Sequence, residues 1–274
     1  MKGYGVVKTL NELNLNHSAL LLEEAHFAHS QLQTNMASLG GQANILEVGC
    51  GYGVLLSMLA EEFPHHRFSG IEPFFDGFAQ LETFTGVVSQ MNVNMKTEAY
   101  GDHHPEEKYD AIYCVNVFEH VNDWRHFLDW ATDHLQVGGK LLVMCPNYGF
   151  PYESHFRIPV IVNKYVTHTL FQRYIYRFEK NNDCVGLWDS LNFVKKADVR
   201  QFLGQSEYSL RLVMSDETEI IDELVLRFAQ DTEFRKRHRF IGGVAELMKK
   251  LGILKFIHYF PNYNPYMKLT FTRG

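Results

Sequence analysis

Apolar and polar positions along the chain change period several times, and each change predicts an element. Residues 11–38 place Leu and Ala among polar residues at helical spacing, which predicts one or two helices ahead of the core. From Ala43 short apolar runs alternate with helical stretches: "NILEVGC", "GVLLSMLAEEF", "RFSGIEP", "FDGFAQLETF", "NVNMKTEAY" and "YDAIYCVNVFEH". This is the rhythm of strand, helix and parallel strand, in which helices cover both faces of a buried sheet. A helix is predicted at "DWRHFLDWATDHL", ended by Gly138-Gly139 before a strand at "KLLVMCP".

After Pro146 the regularity fails. Tyr148, Phe150, Tyr152, Phe156, Tyr165, Phe171, Tyr174, Tyr176 and Phe178 crowd into a segment that reads as a lid or as an aromatic subdomain. Helix returns at "KKADVRQFLGQS" and strand at "YSLRLVMSD". Helical spacing at "IIDELVLRFAQD" and "VAELMKKLGILKFI" predicts an insertion before a last strand, "PYMKLTFTR". The expected organisation is a helical cover over 1–40, a cofactor-binding core over 41–147, an aromatic lid over 148–194, and completion of the core over 195–274 with the insertion at about 217–260.

Composition narrows the class. With 274 residues, 46% of them hydrophobic, one large core carrying insertions is the expected build. A net charge of -6 gives no general attraction to nucleic acid or an anionic membrane, and no run of 18 apolar residues occurs. Cys50, Cys114, Cys145 and Cys184 form no CxxC pair, so they read as small core residues in a reducing compartment. A cytoplasmic protein acting on a small molecule is expected, with no membrane or nucleic-acid partner; the sequence leaves its oligomeric state open.

The stretch "ILEVGCGYG" carries the chemistry. A strand running into Gly49, Gly51 and Gly53 lets backbone amides approach a ligand at the start of a helix. A P-loop would need Lys and then Ser or Thr after the last glycine, where Val54-Leu55 stands, and a GxGxxG dinucleotide fingerprint is weakened because the third glycine comes one residue early and Val54 takes its place. Glu72, 19 positions after Gly53, stands where a carboxylate accepts from ribose hydroxyls.

Taken with "GIEP", "TEAYGDHHPEEKYDAIYCVNVFEHV" and "LQVGGKLLVMCPN", the glycine loop resembles that of class I S-adenosylmethionine-dependent methyltransferases. The small-molecule branch that includes ubiquinone-biosynthesis O-methyltransferases is the most similar. The resemblance implies an α/β fold: a seven-stranded, mostly parallel Rossmann-like sheet with helices on both faces and the last strand antiparallel. It further implies that Glu47, Gly49 and Gly51 surround the methionine part of S-adenosylmethionine and that Glu72 holds the ribose. Glu98 and the Ala99 amide would meet the adenine, and Asn116 would lie near the methionine amino group; S-adenosylhomocysteine is then the product. Tyr100 departs from the family pattern, which often has a second acid there.

A methyl on a sulfonium is already electrophilic, so the protein mainly aligns the acceptor and, for an oxygen nucleophile, removes a proton. His120 and His155 are the candidate bases, and Tyr148, Tyr152, Arg157 and Trp188 the candidate substrate contacts, with Arg157 suited to a carboxylate or phosphate. Glu153, beside them, is suited to orienting a polar substrate. His65-His66 and His103-His104 bring no further ligands near them, so no metal is expected. The basic run "FRKRHRF" (234–240) keeps RNA or protein methylation open, and a cofactor-binding partner without catalysis is the other rival.

Overall fold

A computed structural model describes residues 18–73, 93–204, 209–214, 220–222, 243, 250 and 261–274. Strands β1 (Asn44–Val48), β2 (Arg67–Ile71), β3 (Asn94–Lys96), β4 (Tyr109–Val115), β5 (Leu135–Pro146), β8 (Leu210–Met214) and β9 (Tyr266–Arg273) form one seven-stranded sheet in the order β3-β2-β1-β4-β5-β9-β8. β1 pairs in parallel with β2, from Asn44↔Arg67 to Val48↔Ile71, and with β4 at Ile45↔Ala111; β2 pairs in parallel with β3. The last strands run antiparallel to the others. This order puts β1, with its glycine loop, in the sheet interior beside β4, where ligands of open α/β sheets bind at strand carboxyl ends. Ile45, Leu46, Ile112 and Tyr113 are each fully buried, as central strands of a two-sided sheet require.

The chain forms two compact units. The first comprises 1–117, 125–142 and 271–274, and the second 118–124 and 143–270. In the first, helix α1 (Ser18–Ala37) packs on α2 (Val54–Glu62), burying Ala25, Ala28, Leu32 and Met36. His66 ties α1 to β1: its Nδ1 accepts from the Ala43 amide (3.1 Å) and its Nε2 donates to Met36 O (3.4 Å). Helix α3 (Trp124–His134) leads directly into β5, so Gly138-Gly139 do not end the helix as the sequence suggested. They lie within the strand. Gly138 has φ 80°, and a Cβ on Gly139 would sit 2.8 Å from Gln136 O, so the pair makes a tight bend that only glycine accepts.

In the second unit, residues expected as an aromatic segment have their own core. Tyr148, Phe156, Ile158, Ile175, Trp188 and Leu191 form one buried cluster. Around it lie a hairpin, β6 (Tyr152–Glu153) with β7 (Ile158–Pro159), and helices α4 (Lys164–Asn181) and α5 (Leu187–Ser190), before α6 (Lys196–Gly204). Asn163 caps α4, its side chain accepting from the Val166 amide at 2.9 Å. The stretch "FDGFAQLETF", most of the 217–260 insertion and the basic run 234–240 lie outside the described residues.

Candidate functional site

All three glycines of the loop between β1 and α2 have positive φ: 73° at Gly49, 49° at Gly51 and 71° at Gly53, which caps α2. The Gly49 amide donates to Ile71 O (2.8 Å), turning the chain across the end of β2. A Cβ on Gly49 would lie 2.2 Å from Val117 Cγ2, so both conformation and space demand glycine there. Around Gly51 nothing lies within 4 Å of such an atom; its amide donates to Glu72 Oε2 at 3.0 Å. The loop and the carboxylate paired with it in the sequence therefore meet in the first unit.

Glu47, on β1, is 4% exposed and accepts from Tyr113 Oη at 2.9 Å. Burial pushes its carboxyl up to about 8, against the Tyr113 hydrogen bond and with a further push from Glu72. Asn116 follows β4 with φ 55°, a left-handed position that Asn tolerates better than most residues. These groups, with the open space at Gly51, fit a ligand carrying positive charge and hydroxyl donors.

Glu98 follows β3 and is bonded to His103 Nδ1 at 2.5 Å, while His103 Nε2 meets Tyr109 Oη at 2.7 Å. Burial moves His103 down from its ordinary value, with Glu98 opposing. Ala99 precedes a one-turn helix, Tyr100–Asp102; Tyr100 Oη lies 3.2 Å from His126 Nδ1, and its ring packs edge-on to Phe127 and Trp130. Tyr100, the departure from the family pattern, thus closes this end of the first unit with an aromatic cluster.

The second unit brings the two candidate histidines together, with ring centroids 5.2 Å apart. His155 stands in the turn of the β6-β7 hairpin, its Nδ1 2.6 Å from Glu153 Oε1. Glu153 is fully buried and also accepts from the His155 amide (3.1 Å), the Phe156 amide (2.5 Å) and Tyr148 Oη (3.3 Å). Burial alone would raise its carboxyl, yet these donors, His155 first, hold it below the ordinary range.

His120 Nδ1 lies 2.9 Å from Ser190 Oγ, and that hydroxyl donates its single proton to Leu187 O at 2.8 Å. The serine oxygen therefore accepts from His120 Nδ1–H, leaving the lone pair on Nε2. Burial, then the neighbouring His155, pushes His120 down to about 3, so the ring is neutral. Its Nε2 is 4.0 Å from Oε1 of fully buried Glu119. Asn192 holds this turn in place, its backbone amide donating to Glu119 O (2.7 Å) and its side chain to Phe118 O and Val121 O.

Among the other substrate candidates, Trp188 (3% exposed) and Tyr148 (4%) are members of the buried cluster, Trp188 edge-on to Phe156 and Tyr148 stacked on Phe193 at 4.2 Å. Tyr152 is buried on β6, and Arg157 is exposed at the hairpin turn with φ 59°. Ser190 and Asn192 escaped the sequence reading because their partners are about seventy residues away. Glu119 was visible only as the neighbour of His120. The metal expectation also changes footing: His66 and His103 are engaged in the bonds above, whereas ligating atoms of Glu119, His120 and His155 lie within 4.8 Å of one another.

A glycine loop between a central parallel strand and its helix, with a carboxylate at the end of the next strand, defines an α/β protein that binds a nucleoside-containing cofactor. The family model described as a methyltransferase domain matches residues 22–201. The chain belongs to this family, the class I S-adenosylmethionine-dependent methyltransferases.

An uncharacterized protein of Mycobacterium tuberculosis is 31% identical over 182 residues, 65% of this chain and 61% of that protein. A ubiquinone biosynthesis O-methyltransferase of Xylella fastidiosa is 32% identical over 135 residues, 48% of this chain and 52% of that enzyme. The chain therefore spans about half to three fifths of these curated relatives. Of solved structures, the mycolic acid cyclopropane synthase CmaA1, complexed with S-adenosylhomocysteine and CTAB, shares the fold. Its TM-score is 0.55 at 14% identity, over 92% of this chain and 85% of that one. Among the described residues no helix is long and apolar enough to cross a membrane.

Proposed function

We propose that this protein transfers the methyl group of S-adenosylmethionine to a hydroxyl oxygen of a small metabolite in the cytoplasm. The cofactor supplies a methyl already activated on a sulfonium and leaves as S-adenosylhomocysteine. Gly49 and Gly51 would give backbone approach to its methionine part, with Glu47 and Asn116 beside it. Glu72 would accept from the ribose hydroxyls, and Glu98, oriented by His103, from the adenine amino group next to the Ala99 amide. The acceptor hydroxyl gives up its proton at His155, whose other nitrogen is held by Glu153, as its oxygen forms the new bond to carbon, with the neutral ring of His120 beside it.

The observation that carries the choice of oxygen is the meeting of His120 and His155, 5.2 Å apart, one ring held by Ser190 and the other by buried Glu153. A hydroxyl must lose its proton as its oxygen is methylated, and a histidine held in place by a buried carboxylate suits that task. The similarity to O-methyltransferases points the same way, and four free cysteines suit a reducing compartment.

The test is release of S-adenosylhomocysteine in the presence of small hydroxylated, aminated and thiol compounds, with RNA and protein alongside, and identification of the methylated atom. Turnover of hydroxylated compounds, lost in His155→Ala while cofactor binding persists, supports the proposal. Turnover on RNA or protein alone, or turnover indifferent to both histidines, contradicts it.

A further inference from the structure

We infer that Glu119, His120 and His155 form a binding site for one divalent metal ion of the zinc type. Two imidazole nitrogens and one carboxyl oxygen are a donor set that suits borderline ions such as Zn²⁺ better than Mg²⁺, which takes oxygen ligands. Three protein ligands with an open position are what catalytic rather than structural zinc sites present.

The surroundings are those of metal-binding histidines, whose second ring nitrogen is anchored by a carboxylate or another polar group. His155 Nδ1 is bound at 2.6 Å by Glu153 Oε1, and His120 Nδ1 at 2.9 Å by Ser190 Oγ, so both rings are directed to ligate through Nε2. Each anchor is itself fixed. Glu153 is fully buried and held by the His155 and Phe156 amides, and the Ser190 hydroxyl is committed to Leu187 O.

At Nε2 of His120 the electron pair is set 4.0 Å from a Glu119 oxygen, and the ligating atoms of all three residues lie within 4.8 Å of one another. Zinc held at 2.0–2.1 Å by tetrahedral ligands sets them roughly 3.3 Å apart, so binding draws the three atoms together by about 1 Å.

The consequence for the acceptor rests on the proposed function: with the ion bound, a hydroxyl at the open position would be acidified by it and release its proton to water, so that the imidazoles act as bases only in the metal-free protein. Metal binding itself does not depend on that reading.

The experiment is calorimetric titration of the full chain, first stripped with a chelator, with Zn²⁺ and separately with Mg²⁺. Binding of S-adenosylmethionine to each variant is measured in parallel to show that it is folded. One Zn²⁺ per chain is expected, with affinity lost in His155→Ala and in His120→Ala. Weakening on the order of 10- to 100-fold is expected in Glu153→Gln and Ser190→Ala, which keep all three ligands. Absence of Zn²⁺ binding in the wild type, or equal affinity in the wild type and the His120→Ala/His155→Ala double variant, overturns the site. Failure of the wild type to bind S-adenosylmethionine while Zn²⁺ binds as expected counts against the methyltransferase assignment and leaves the metal site standing.

Discussion

Replacing Gly49 with alanine tests the packing logic of the glycine loop. The new methyl would stand 2.2 Å from Val117 Cγ2 and 3.0 Å from Cγ1, on a residue with φ 73°. The left-handed backbone costs a residue with a side chain about 1–2 kcal/mol. Relief of the overlap by shifting β1 or the segment after β4 costs about 1–3 kcal/mol more, so Gly49→Ala loses about 2–5 kcal/mol in all. Urea unfolding followed by circular dichroism reads the loss directly. The second half of the test is Gly49→Ala with Val117→Ala: removing both Cγ atoms leaves the backbone cost and a close approach of 3.1 Å to the Val117 Cβ, so the two substitutions couple favourably by about 1–3 kcal/mol. A single variant within about 0.5 kcal/mol of wild type, or a double variant showing no coupling, would refute the reasoning.

Other consequences are open to equally direct tests. Glu47 titrates near 8 in the folded chain against an ordinary value of 4.5. The cofactor-free protein therefore holds a proton there that the unfolded chain has released. Its stability should fall as pH rises from about 4.5 to about 8 and level off above, by at most about 4–5 kcal/mol, with a smaller slope in Glu47→Gln; identical slopes in the two proteins would exclude the buried acid as the cause. Trp188, 3% exposed and packed against Phe156 and Phe193, should cost about 3–5 kcal/mol on truncation to alanine. Hydrogen exchange should then rise in α4 and the β6-β7 hairpin; a cost below about 1 kcal/mol would show that the tryptophan is not a core anchor.

The glycine loop and Glu72 were legible in the sequence because their chemistry is local. A strand end, three glycines and an acid closing the next strand leave little freedom in where the loop amide and the carboxylate can go, and Gly51 N does meet Glu72. The strand rhythm was legible for the same reason, since period-two and continuous apolar runs register without tertiary information. Gly138-Gly139 misled because glycine marks both a helix end and a bend within a strand, and only the pairing of β5 separates the two uses.

The β6-β7 hairpin could not be read at all, its strands being two residues each. With it went the environment of His155, and so the difference between a lone histidine in a loop and one aimed by a buried glutamate. His120 was legible as a candidate, but its tautomer is set by Ser190, seventy residues away, and no sequence period encodes such a contact. The aromatic run showed its composition and not its use: six of its neighbourhood's residues make a core cluster that includes Trp188 and Tyr148.

The central claim is that the loop of Gly49, Gly51 and Gly53 with Glu72 holds S-adenosylmethionine. Calorimetric titration of the wild type and Glu72→Ala with S-adenosylmethionine, S-adenosylhomocysteine and NAD tests it most directly. The account predicts saturable binding of one sulfur cofactor per chain, no binding of NAD, and more than a tenfold weakening in Glu72→Ala, a loss above about 1.4 kcal/mol. Binding of NAD, or sulfur-cofactor affinity unchanged by Glu72→Ala, would contradict it.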